Sequence, residues 1–78
     1  MNVKIKLPPL GDNVQEATMV AWLKQPGDAV AHGEIIAEVM TDKTNIEIPA
    51  PASGTLVEHG VRVDDVLHPG AVLGTIRM

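Results

Sequence analysis

Lys43 is the residue whose setting most invites chemistry. It falls in EVMTDKTNIEIPAPASG (Glu38–Gly54), between two apolar, β-branched stretches, with Asp42 before it and Thr44 after it. An exposed lysine amine can be acylated, and acylation removes its charge. Two other sets of residues could do chemistry. His32, His59 and His68 lie near acidic residues, and three histidines suffice to hold zinc. Their spacings match no local ligand motif, and His32 and His68 adjoin Gly33 and Pro69, where solvated imidazoles are ordinary. Asp28 and Asp65 hold matching positions at turns and are read as acceptors for turn amides rather than as paired acids. No Ser, Cys or Asp stands in a recognisable nucleophile motif. The chain is therefore expected to be no enzyme by itself and to hold no metal. Lone lysines on turns are commonplace, so the weight of Lys43 depends on the elements that place it.

Period-two alternation predicts eight strands: Val3–Leu7, Thr18–Leu23, Ala29–Val30, Ile35–Thr41, Thr44–Ile48, Thr55–His59, Val66–Leu67 and Val72–Arg77. Turns are expected at Pro26-Gly27-Asp28, His32-Gly33, Ala52-Ser53-Gly54 and Pro69-Gly70. No stretch keeps a helical period. The expected fold class is all-β, a flattened barrel or sandwich of two four-stranded antiparallel sheets. The chain also repeats itself. A slide of 37 residues lays Ala17–Val39 on Gly54–Ile76, matching Thr18 with Thr55, Val20 with Val57, Asp28 with Asp65 and Gly33 with Gly70. A slide of 41 lays Lys4–Pro8 on Asn45–Pro49, so quasi-two-fold symmetry is expected, with four extra residues in the first loop, within PLGDNVQE.

The hairpin register follows. With Asp42 and Lys43 as its central residues, Thr41 pairs with Thr44, Val39 with Ile46, and Ala37 with Ile48, all good cross-strand partners. Glu38 then opposes Glu47 on the wet side. Two-residue hairpins favour positive φ at both central positions, where Asp is tolerated and lysine is a poorer choice than glycine. Lys43 thus caps a stiff support, at the end opposite the chain termini.

Composition closes off other classes. With 78 residues and no cysteine, the chain (residues 1–78) is one small domain without disulfides or a thiolate metal site. Trp22 is the only aromatic, which leaves little for a ring-lined substrate pocket. A net charge of −4 argues against nucleic acid, and no apolar run reaches the roughly 20 residues of a membrane span. No secretory leader is recognisable. Trp22 itself is read as packing rather than recognition.

The motifs in order resemble the lipoyl domain of the acyltransferase component of 2-oxo acid dehydrogenase complexes. LPPLGDNVQEATMVAWLKQPGDAV is similar to that family's opening, TDKT to its Asp-Lys-Ala modification motif, PAPASGTLVE to the turn that follows, and DDVLHPGAVLGTI to its closing half. The likeness spans essentially the whole chain. It implies that Lys43 carries lipoic acid in amide linkage, presented by the turn of Asp42 and Thr44, which would take the net charge from −4 to −5. It implies a carrier that visits a thiamine diphosphate-dependent 2-oxo acid decarboxylase, an acyltransferase core and a dihydrolipoamide dehydrogenase, after modification by lipoylating enzymes. It further implies that the loop from Pro8 to Glu16, through Leu10, Gly11, Asp12, Asn13 and Val14, lies beside the modified turn and helps partners recognise the domain.

Some residues depart from the pattern. Thr44 stands for a frequent Ala and Ala17 for a common Gly, while Asp64 replaces the glycine of the second Gly-Asp turn, where Asp tolerates the left-handed region. Met40 replaces a frequent Glu, and the resulting VMTDK tilts the substrate towards branched-chain 2-oxo acids. The alternative reading is a biotinyl carrier domain of a biotin-dependent carboxylase, but that relative flanks its lysine with methionines. The glycine-cleavage carrier is longer than this chain. The domain is expected to be a monomeric piece of a longer acyltransferase polypeptide. Its expected place is the cytoplasm, or the mitochondrial matrix for a processed eukaryotic domain.

Overall fold

The computed structural model describes residues 1–10 and 14–78. It contains β1 (Asn2–Lys6), β2 (Ala17–Trp22), β3 (Ala29–Val30), β4 (Ile35–Met40), β5 (Asn45–Pro49), β6 (Gly54–His59), β7 (Val66–Leu67) and β8 (Val72–Arg77). They form two four-stranded antiparallel sheets, ordered β1-β8-β6-β3 and β5-β4-β2-β7. The expected all-β sandwich is present, and strand ends move by a residue or so. Residues that drop out of the strands stay bonded: Leu7 N–H donates to Ala71 O and Leu23 N–H to Ile36 O, both at 2.9 Å. Among the described residues no helix is long and apolar enough to cross a membrane.

The two sheets are images of one another. Exchanging β1 with β5, β2 with β6, β3 with β7 and β4 with β8 turns one strand order into the other. The slide of 37 residues holds down to single bonds: Met19 N–H donates to Asp65 O as Leu56 N–H donates to Asp28 O, each at 2.9 Å. Even the breaks in register repeat, beside Val20 and Val57 and opposite Ile36 and Leu73. The slide for the first strand needs correcting. Leu7 and Ala50 are the residues that bond equivalent turns, through Ala71 O and Glu34 O, and Ile5 and Ile48 are the matching buried residues. The offset is 43, not 41. Both numbers are odd, so inward and outward faces were kept while the register slipped by one repeat of the pleat. Nine residues then separate Leu7 from Ala17 where three separate Ala50 from Gly54, so the first loop is longer by six residues rather than four.

Between the sheets lies an aliphatic core. Ile5, Met19, Ile36, Val39, Ile48, Leu56, Leu73 and Ile76 are the largest fully buried side chains. Each stabilises the fold by roughly 1.5–3 kcal/mol relative to exposure. Trp22 is half-buried and packs against this core, as expected for packing rather than recognition. Its Nε1–H donates to Val61 O at 3.1 Å, and its ring stacks on His59 with centroids 4.0 Å apart and planes 8° from parallel. Trp22 and His59 are related by the 37-residue slide, so the pseudo-axis passes through this stack. β2 runs from its pairing of Thr18 with Met40, beside the Lys43 hairpin, to Trp22. β6 runs from its pairing of Thr55 with Arg77, beside the chain termini, to His59. Hairpin and termini therefore lie at opposite ends of a body 34 Å long, and at the terminal end Met78 N–H donates to Met1 O at 2.9 Å.

One turn carries strain. Asp64 has φ of 77°, the only positive value among the described non-glycine residues, and its image Gly27 has 98°. Asp28 and Asp65 serve as turn acceptors as expected, taking the amides of Gln25 and Arg62 at 2.8 Å. Left-handed backbone costs an L-residue about 1 kcal/mol, though least for Asp and Asn. Asp64→Gly should therefore stabilise the domain by about 0.5 kcal/mol after the loss in unfolded-state entropy is counted. A higher urea midpoint with unchanged slope is the expected result; an unchanged or lower midpoint would mean that the Asp64 side chain contributes more than its backbone costs.

Candidate functional site

The hairpin between β4 and β5 has the expected register: Ala37 faces Ile48, Glu38 faces Glu47, Val39 faces Ile46 and Met40 faces Asn45. Val39, Ala37 and Ile48 point into the core, and their burial forbids a one-residue slip. Glu38 is given a neutral partner on the wet side, the Asn45 Nδ2–H donating to its Oε1 at 3.2 Å. The ladder continues past the strand ends, with Thr41 N–H donating to Thr44 O at 2.8 Å.

The tip itself differs from expectation. Neither Asp42 nor Lys43 has positive φ, so the turn is not of the glycine-seeking type. Thr41 explains why. Its Oγ1 accepts the Lys43 amide at 3.2 Å and the Thr44 amide at 3.1 Å, and donates to Thr44 O at 3.1 Å. A side-chain hydroxyl thus closes the turn that mirror-image backbone angles would otherwise close. Thr41 is 7% exposed, while Asp42, Lys43 and Thr44 are all exposed. A buried clasp therefore holds an exposed lysine, and glycine is not needed. The sequence signal was there, a threonine directly before the turn residues, but Thr41 was read only as a pairing partner. Thr41→Val keeps the shape and removes the oxygen. Hydrogen exchange of the Lys43 and Thr44 amides should then accelerate by up to about tenfold, from the loss of roughly 1 kcal/mol per net hydrogen bond. Unchanged exchange would mean that the strands alone hold the tip.

Among the described residues no ion pair engages Lys43, whereas Lys24 is committed to Glu34 at 2.9 Å. The hydrogen bond and charge of Glu34 hold the Lys24 ammonium above its ordinary pKa; the Ala31 amide and Lys24 hold Glu34 below its own. Lys4 and Lys6 lie along β1.

The long first loop meets this site. Val14, Glu16 and Thr18 run beside Met40, Thr41 and Asp42 across a shallow groove of about 540 Å3. Leu10 is half-buried against the core. Of the residues expected to recognise partners, Leu10 and Val14 are thus placed, while Gly11, Asp12 and Asn13 lie outside the described residues. The histidines do not converge. His59 Nε2 lies 2.9 Å from Lys24 O, an acceptor only, so that nitrogen carries the proton. His68 lies 3.9 Å from Glu16, and the His32 amide donates to Ser53 Oγ. Among the described residues no group of three or more His, Cys, Asp or Glu could hold a metal ion.

Residues 3–76 match the family described as Biotin-requiring enzyme, the biotin/lipoyl family. The fold superposes on the solution structure of the lipoyl domain of the 2-oxoglutarate dehydrogenase complex from Azotobacter vinelandii with a TM-score of 0.78 and 32% identity, covering 97% of this chain and 96% of that one. The chain belongs to the biotin/lipoyl family, as a lipoyl domain. Similar proteins include the dihydrolipoyllysine-residue succinyltransferase component of the 2-oxoglutarate dehydrogenase complex of Bacillus subtilis, 44% identical over 94% of this lipoyl domain. Another is the acetyltransferase component of the pyruvate dehydrogenase complex of Corynebacterium glutamicum, 44% identical over 92%. A third is the lipoamide acyltransferase component of the branched-chain alpha-keto acid dehydrogenase complex of Pseudomonas putida, 36% identical over 88%. The lipoyl domain spans 18%, 11% and 16% of the lengths of these three relatives.

Proposed function

We propose that Lys43 carries lipoic acid in amide linkage and that the domain shuttles acyl groups and electrons among the active sites of a 2-oxo acid dehydrogenase complex. The observation that carries this reading is the tip geometry: an exposed amine on a hairpin clasped from below by Thr41. The residues present fit the group, since amide formation needs an accessible nitrogen and no pocket. When attached, lipoic acid supplies a disulfide–dithiol couple that takes up an acyl group with two electrons and releases each elsewhere. The domain's own contribution is mechanical. A rigid hairpin fixes the direction from which the arm departs, and tethering gives the arm an effective concentration up to the millimolar range.

The partners proposed are a thiamine diphosphate-dependent decarboxylase, an acyltransferase core, a dihydrolipoamide dehydrogenase and the lipoylating enzymes. Relatives named for 2-oxoglutarate, pyruvate and branched-chain complexes are all similar to this domain, at 44%, 44% and 36% identity. They support 2-oxo acids as a class and give the branched-chain tilt of VMTDK no preference. Attachment of biotin is disfavoured because Asp42 and Thr44, not methionines, flank the lysine. Recognition of the decarboxylase is assigned to the first loop, whose Val14 and Glu16 lie beside the presenting turn and whose length makes up the six-residue difference between the halves.

Two measurements test the proposal together. Incubation with a lipoylating enzyme and lipoate should add the mass of one lipoyl group, after which a cognate decarboxylase should reductively acylate it. Deleting Gly11–Glu16 leaves three linking residues, as in the second half, and costs little in closure entropy. That variant should fold and accept lipoate but be acylated much more slowly. Acylation at the native rate would remove the loop from recognition; absence of any lipoyl mass on the native chain would remove the carrier function itself.

A further inference from the structure

The groove beside the hairpin has an occupant built into the molecule. Its lining is mixed: Met40, 47% exposed, lies with Val14 and Ala17 among the polar side chains of Gln15, Thr18 and Thr41. Among the described residues its rim carries two carboxylates, Glu16 and Asp42, and no lysine or arginine lines it. It holds about 540 Å3 and is open to solvent rather than enclosed, so a guest would lie along it rather than be swallowed. The pseudo-symmetry supplies an internal control. At the other end of the fold the image of Met40 is Arg77, the image of Glu16 is Ser53 and the image of Val14 is Pro51. The frame is duplicated; this lining is not. Packing therefore does not demand an exposed methionine here.

We infer that this groove is a resting site for the uncharged arm borne by Lys43, the dithiolane ring lying against Met40 and Val14. The inference rests on the lipoyl reading of Lys43. Reach is ample, because Met40 and Lys43 are three residues apart, at most about 11 Å between Cα atoms, well within the sweep of a lysine side chain extended by the lipoyl chain. The chemistry suits a sulfur-containing, uncharged ring: methionine is flexible and polarisable and adapts to irregular apolar partners. The two carboxylates repel an anion and leave a neutral ligand untouched. Affinity need not be high. A tether that supplies an effective concentration in the millimolar range leaves a groove of millimolar affinity about half occupied. The arm then alternates between the domain's own surface, where water is partly excluded from its sulfur atoms, and free solution, where it is available to partners.

The test separates the groove from the attachment. Lys43→Ala protein, with 13C-labelled Met and Val methyl groups, is titrated with lipoamide and, separately, with lipoate at neutral pH. The Met40 and Val14 methyl signals should move with a millimolar midpoint for lipoamide and several-fold more weakly for lipoate. Those of Val72, exposed but on β8 of the other sheet, should stay in place. Met40→Glu, checked by melting to be folded, should abolish the movement. On the native chain, once intact mass confirms the lipoyl group, the same two residues should shift without added ligand. Equal response to lipoate, shifts spread over all exposed methyls, or no shift at Met40 and Val14 overturns the resting site. A native chain that takes up no lipoyl mass removes the Lys43 assignment instead, while the lipoamide titration still answers for the groove.

Discussion

Lys43→Ala is expected to take up no lipoyl group from a lipoylating enzyme, whereas the native chain should take up one and the two melting curves should overlay. Loss of modification is expected to be complete because the other lysines lack the setting. Lys4 and Lys6 lie along a strand and Lys24 is held by Glu34. Stability should change by no more than about 0.5 kcal/mol, since the side chain is solvated and its amide keeps the Thr41 oxygen. A companion variant, Asp42→Lys with Lys43→Ala, moves the amine by one residue on the same clasped turn. Its lipoylation should fall sharply, because the turn fixes the direction of each side chain. Equal rates for the shifted and native lysine would show that exposure alone suffices. Lipoylation of Lys43→Ala would overturn the assignment outright.

Gly54→Ala should cost more stability than any change at the tip. A methyl group there would meet Arg77 O, Arg77 C and the Ile76 side chain, the nearest of them backbone atoms of the neighbouring strand. Backbone of a hydrogen-bonded strand yields less readily than the end of a flexible side chain. The image position is already alanine, Ala17, and is 2% exposed. The two sheets are therefore alike in topology yet differ in how closely their strands approach. Overpacking of this kind costs about 3 kcal/mol, which for a domain of this size lowers the melting temperature by about 12–24 °C. Gly54 is at the terminal end of the fold, so the folded fraction at low temperature should still be lipoylated at the native rate. A variant that melts like the native chain would mean that the second sheet can open to accept a methyl group.

The sheets were legible because inward and outward residues alternate cleanly: Ile5 and Leu7, Ile46 and Ile48, and Leu56 are where period two places them. The hairpin register was legible for the same reason, since Ala37 with Ile48 and Val39 with Ile46 are apolar pairs on one face. What escaped lies off that period. The offset of the first strand could slide by two without disturbing any face, so the alternation could not fix it, and the bonds of Leu7 and Ala50 could. The turn escaped because a hydroxyl from Thr41 replaced the backbone angles that glycine would signal. The stack of Trp22 on His59 joins residues 37 apart that share no side-chain chemistry, so only the repeat itself hinted at their meeting. Of the site, Lys43 at its hairpin and the extra length of the first loop were visible in the string of residues, whereas the exposure of Met40 was not.

The pairing of Met1 with Met78 has a consequence for leverage. Any polypeptide continuing from either terminus departs from the same pole, because the first and last strands end side by side. A domain moored at one pole can pivot as a boom, and its free pole is the one that holds Lys43. The 34 Å of the protein body then add to the sweep of whatever the lysine carries, and a sideways tug on the mooring turns the boom rather than bending the hairpin. Pulled apart, however, the two moorings would peel β1 from β8 one hydrogen bond at a time. The end that tolerates least tension is thus the end farthest from the amine.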